Sequence, residues 1–101
     1  MKSARIEFLE QAKRDLLEGY WFYESQQTGL GEYFLQHIYA DIESLHNFAG
    51  IHSKAYSGYH RLLSKRFPYA VYYKLANDTA FIYAVVDGRR NPARIGRKLP
   101  G

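Results

Sequence analysis

The hydrophobic period of this chain changes at Gly50, and that switch limits the fold more than any single motif does. Before it, Leu9, Ala12, Leu16, Tyr20 and Tyr23 recur at steps of three and four, with Lys13, Arg14, Glu18 and Glu24 between them. This spacing predicts an amphipathic helix from about residue 9 to 26, weakened by Gly19. The run Gln26-Gln27-Thr28-Gly29-Leu30-Gly31 ends it, because Gly29 accepts the left-handed conformation that terminates a helix. Phe34, Ile38, Ile42 and Leu45 then line one face of a second helix, which Asn47 to Gly50 close. Helices joined by so short a loop lie antiparallel.

Beyond Gly50 the period becomes two. The segments Tyr59 to Leu63, Tyr69 to Ala76 and Thr79 to Val86 are rich in Tyr, Val, Ile and Phe and are bounded by turn residues, which predicts strands. Asn77-Asp78 tolerates the positive φ of a tight hairpin turn, so the last two strands pair. The final strand is apolar on both faces and should run between neighbours. Ile6 and Phe8, alternating with Arg5 and Glu7, predict a short first strand. The order is therefore β-α-α-β-β-β, an α+β two-layer domain with the helical hairpin packed on a largely antiparallel sheet. At 101 residues and 47% hydrophobic composition there is room for one domain with a core, spanning 1–101, with a loose basic tail from about 91 to 101.

Charge divides at the same point as period. Residues 1–50 carry four bases against eight acids, a net −4, and residues 51–101 carry ten bases against two acids, a net +8. The basic half points to an anionic partner, either nucleic acid or an acidic protein segment. There is no cysteine, which removes disulfides, thiolate metal sites and a cysteine nucleophile. The charged start and the lack of any long apolar run read as a soluble cytoplasmic protein with no membrane partner.

Three stretches resemble the C-terminal half of ParE-type toxins: Tyr59-His60-Arg61-Leu62-Leu63, Arg66-Phe67-Pro68-Tyr69-Ala70-Val71-Tyr72-Tyr73, and Ile82 through Val86 followed by Asp87-Gly88-Arg89-Arg90-Asn91-Pro92. Tyr20-Trp21-Phe22-Tyr23 is similar to the aromatic cluster near the end of that group's first helix. The resemblance, to the RelE/ParE superfamily of type II toxin–antitoxin systems, covers nearly the whole chain. It implies a bacterial growth inhibitor neutralised by a cognate antitoxin with an acidic segment. The ParE-like branch implies DNA gyrase as target and a homodimer or a toxin–antitoxin heterotetramer as assembly. The RelE branch implies a ribosome-dependent mRNA endonuclease instead, with Lys65, Arg61 and Arg90 supplying the electrostatics. A third alternative is a degenerate, non-toxic member that still binds its antitoxin.

The ribonuclease pattern is incompletely matched, since Ala70 stands where those proteins place an arginine after Tyr69, and no tyrosine follows Tyr83. Positioned cations and general acids can cleave RNA without a metal, so the missing residues weigh more than a missing metal site. No catalytic residue is therefore assigned. Arg89, Arg90 and Arg94, following a rigid strand, are the candidates for target contact, and Arg61, Lys65 and Arg66 for antitoxin or target contact. Arg97 and Lys98 serve solubility. His37, His46, His52 and His60 read as scattered surface or core histidines without the helical carboxylate pairing of a zinc site, so no metal and no cofactor is expected.

Overall fold

The computed structural model describes residues 4–52, 54–56, 58–89 and 99. Strand β1 (Arg5–Phe8) leads into helices α1 (Glu10–Glu24) and α2 (Leu30–Glu43), a single turn α3 (Leu45–Phe48), and strands β2 (Lys54–Tyr56), β3 (Tyr59–Leu63), β4 (Tyr69–Ala76) and β5 (Thr79–Asp87). The five strands form one sheet in the order β1-β5-β4-β3-β2. Only the β1–β5 pair is parallel, so the sheet is largely antiparallel as predicted. Two elements were not legible in the sequence. These are α3, which splits off because Ser44 interrupts the second helix, and β2, three residues long and bulged against β3.

The helical hairpin packs on one face of the sheet. Ala12, Leu16, Phe34, Ile38, Ile42 and Leu45 meet Leu62, Val71, Tyr73, Ala80, Ile82 and Val85 in a continuous buried core. Gly19 is not merely a weak helix residue: a Cβ there would lie 2.6 Å from the Phe34 ring, so the glycine sets how closely the two helices approach. α1 ends at Glu24, whose carboxylate accepts the N–H groups of Gly29 (3.1 Å) and Gly31 (3.0 Å) and so caps the start of α2. Gly29 has the expected positive φ, 92°, but as the entry to α2 rather than the end of α1.

The hairpin turn is built as its residues dictate, with φ of 49° at Asn77 and 64° at Asp78. One irregularity changes the side-chain assignment. Tyr72 pairs with Ala84 and Tyr73 with Ile82, which leaves Tyr83 as an extra residue in β5. Plain alternation would set Tyr83 beside Val85 in the helix-facing core. The bulge instead turns it to the outer face, where its ring lies 5.0 Å from that of Tyr59.

That outer face is itself a second small core. Tyr59, Ala70, Tyr72, Ala84 and Val86 are buried there together with Leu99. The segment read as a loose tail lies almost wholly outside the described residues, but Leu99 is seated against the sheet, 5% exposed.

Asp15 is the one buried charged residue among those described. Beyond Phe8 the β1 edge ends, and β5 would present an unpaired N–H at Val85. The Asp15 carboxylate accepts that N–H at 2.9 Å and the Gln11 side-chain amide at 2.8 Å, so α1 supplies the missing strand partner.

Candidate functional site

Among the described residues, the bases of β3 to β5 and their connections fall into two groups, one on the sheet and one beyond the strand ends. On the outer face, Arg61 lies opposite Tyr72 across the strands, and Lys74 Nζ sits 4.3 Å from the centroid of the Tyr59 ring. The Nε of Arg61 is buried and has no hydrogen-bond partner, and the guanidinium reaches toward Gly88. A partly buried guanidinium with an unsatisfied N–H is costly unless an anion completes it.

The second group marks one end of the molecule, where the β3–β4 turn, the end of β5 and the α1–α2 connection meet. Gly88 N–H donates to Pro68 O at 2.7 Å, which holds the exit of β5 against that turn. Tyr23, Phe34, Phe67 and Tyr69 form an aromatic cluster beneath, with Tyr23 and Phe67 centroids 4.9 Å apart. Burial pushes the Tyr23 phenol up, and the nearby Asp87 carboxylate adds to this. Arg89, exposed at the exit, is held by Asp87 through Nε (3.0 Å) and Nη2 (2.8 Å). That hydrogen-bonded pairing raises its pKa further, so the guanidinium stays charged while two of its five N–H donors are already used.

Lys65 and Arg66 occupy the turn itself, on the side facing α2. Ser64 Oγ donates to Asp41 Oδ2 at 2.7 Å, and the Lys65 N–H to the same oxygen at 3.3 Å. The Arg66 guanidinium lies 5.8 Å above the Tyr33 ring centroid. The structure thus brings Lys65, Arg66 and Arg89 to one end and sets Arg61 on the outer face with its head group toward that end. Arg90, Arg94, Arg97 and Lys98 lie outside the described residues. Arg61 belongs to β3, whereas Lys65, Arg66 and Arg89 belong to the connections beyond the strand ends, which is why the described bases form two groups.

Sequence reasoning passed over Tyr33 and Asp41 and read His37 only as a scattered histidine. They stand four residues apart on α2, on a face separate from the core stripe. The signal was a second period-four row. It also corrects the treatment of His37, which does have a carboxylate one turn on. That carboxylate is taken by Ser64 and Lys65, and no group of three metal-ligating side chains occurs among the described residues. No described helix is long and apolar enough to cross a membrane.

No family model and no curated protein matches the sequence. Among solved structures, the chain is similar to one from the chromosomal ParDE TA system of P. aeruginosa, with a TM-score of 0.75 at 18% identity, covering 84% of this chain and 96% of that one. The fold is RelE/ParE-like. At that identity the likeness speaks for architecture, and it spans the helical hairpin and the sheet together rather than one supersecondary unit.

Proposed function

We propose that this protein is the toxin of a type II toxin–antitoxin pair, of the ParE kind, which inhibits growth by binding DNA gyrase and is neutralised by an antitoxin with an acidic segment. The observation that carries the reading is the fold match to a chain of a ParDE system across nearly the whole of both chains. Local features support its finer parts. Ala70, where a ribonuclease of this architecture would carry an arginine, is fully buried beneath the outer cluster that Leu99 completes, which favours a binding protein over an mRNA endonuclease. The acidic antitoxin segment meets bases that await an anion, Arg61 above all, with Lys65 and Arg66. Arg89, with Arg90 and Arg94 after it, is presented from the rigid end of β5 and contacts the target.

The test uses purified protein with gyrase and relaxed plasmid, and in parallel with ribosomes carrying a message. Blocked supercoiling with intact message is the expected result. Cut message with normal supercoiling overturns the proposal in favour of the endonuclease, and unimpaired growth on induction without antitoxin identifies a non-toxic member.

A further inference from the structure

The core of α2 is accounted for by Phe34, Ile38 and Ile42, which leaves unexplained why Tyr33, His37 and Asp41 stand in a parallel row at the same spacing. Each member of that row touches the turn between β3 and β4. Tyr33 lies under the Arg66 guanidinium, with its ring 5.8 Å from that of Phe67. His37 braces Tyr33 edge-on at 4.4 Å and faces Phe67 at 6.2 Å. Asp41 takes the hydroxyl of Ser64 and the N–H of Lys65. Ser64 in turn receives the Phe67 N–H at 3.4 Å, and its own N–H bonds Tyr69 O at 2.9 Å. A five-residue connection that could have been a free loop is therefore fastened along its length, and the two charged side chains it exposes are Lys65 and Arg66.

We infer that the Tyr33–His37–Asp41 row is a cradle of positioning residues that presets Lys65 and Arg66 as a receptor for the carboxylates of an acidic peptide. This rests on the proposed neutralisation by an acidic segment and says where on the molecule that segment is gripped. Preorganisation is the physical reason: an arginine already stacked on a ring keeps its outward N–H donors for a carboxylate and loses little freedom on binding. Among the described residues, the ion pairs are Lys13 with Glu10 and Arg89 with Asp87, so neither turn cation is committed to a carboxylate. Beside the turn, Leu30, Gly29 and Tyr33 line a shallow recess suited to an apolar side chain between the acids. A polynucleotide is disfavoured, because it asks for a track of cations and open aromatic faces, whereas Arg66 already covers Tyr33.

The experiment measures binding of a fluorescent peptide of repeating Glu-Leu-Glu-Ala to the full chain by anisotropy. Variants are Arg66→Ala, Tyr33→Ala, Tyr33→Phe, Asp41→Ala and the double variant Tyr33→Ala with Arg66→Ala. Removing the ring or the carboxylate should weaken binding about three- to tenfold, as expected for loss of one stacked or charge-assisted contact. Tyr33→Phe should bind as the parent does. A merely structural tyrosine would lower affinity equally with or without Arg66. Positioning instead requires that Tyr33→Ala has no further effect once Arg66 is alanine. Additive losses, or unchanged affinity in folded Tyr33→Ala and Asp41→Ala proteins, overturn the cradle and leave the proposed function standing. Failure of the parent chain to bind the peptide removes the cradle and the neutralisation by an acidic segment on which it rests, while the supercoiling assay judges the toxin reading by itself. Preference for single-stranded oligothymidylate over the peptide, with the same dependence on Arg66, overturns the assignment of the partner.

Discussion

Removing the Asp15 carboxylate should cost this fold more than any surface substitution, because one side chain does the work of a missing strand. The residue is 2% exposed, and its two oxygens take the Val85 N–H at 2.9 Å and the Gln11 amide at 2.8 Å. In Asp15→Ala the Val85 N–H stays buried with nothing to accept it, which costs about 1–3 kcal/mol, and a charge-assisted bond worth about 1.5–3 kcal/mol is lost. Relief from holding a carboxylate away from water offsets part of this. A net loss of about 2–3 kcal/mol remains, which for a domain of this size lowers Tm by roughly 10–20 °C. Asp15→Asn keeps an oxygen for Val85 and should cost about 1 kcal/mol. Thermal unfolding followed by circular dichroism measures both, and amide exchange at Val85 locates the damage. An alanine variant melting within a degree or two of the parent would refute the reasoning, as would an asparagine variant as damaged as the alanine one.

Three further expectations follow from the same geometry. Gly19→Ala improves helix propensity by about 1 kcal/mol, yet drives a methyl to 2.6 Å from Phe34, and overpacking of about 1–3 kcal/mol prevails; a lower urea midpoint checks it. His52 Nδ1 lies 2.6 Å from the Tyr73 hydroxyl oxygen, and burial, with the neighbouring His60 adding to it, lowers its pKa from 6.5. The unfolded chain then binds the proton first, so stability is full above 6.5 and falls as the pH drops below it; His52→Gln should flatten that slope in denaturation midpoints measured across the range. Leu99→Ala should lose about 2 kcal/mol by opening the outer cluster, read as a lower Tm, whereas a tail without a seat on Tyr59, Tyr72 and Val86 would show no change.

Much of the architecture was legible because burial imposes its period on the residues. The helix-facing stripe Ala12, Leu16 and the row Phe34, Ile38, Ile42 follow from spacing, as does the Asn77-Asp78 turn. The illegible parts depend on contacts between distant segments. Nothing near Tyr83 announces a bulge, since the register is settled by β4 on the other side of the turn. Nothing near Asp15 says that an acidic residue on an amphipathic helix will be buried. That depends on β1 stopping at Phe8 and exposing Val85 seventy residues away. Lys65 and Arg66 were legible as charges, while their seat on Tyr33 and Asp41 was not, because the row that holds them is polar enough to pass for a solvated face.

The two groups of bases differ in a way that bears on what each can bind. Arg89 is exposed and already chelated by Asp87 within its own turn, so an incoming carboxylate must compete with a neighbour that cannot leave. Arg61 is the reverse case, with its aliphatic stem on the outer face and a buried Nε that nothing satisfies. Arg89 keeps three N–H donors for an anion but already shares its charge with Asp87, whereas Arg61 has no carboxylate partner among the described residues, so the gain should be larger at Arg61. Arg61 is therefore the charge the fold leaves most in need of a partner, and the arginine that follows β5 is better placed to orient a surface than to supply most of the binding energy.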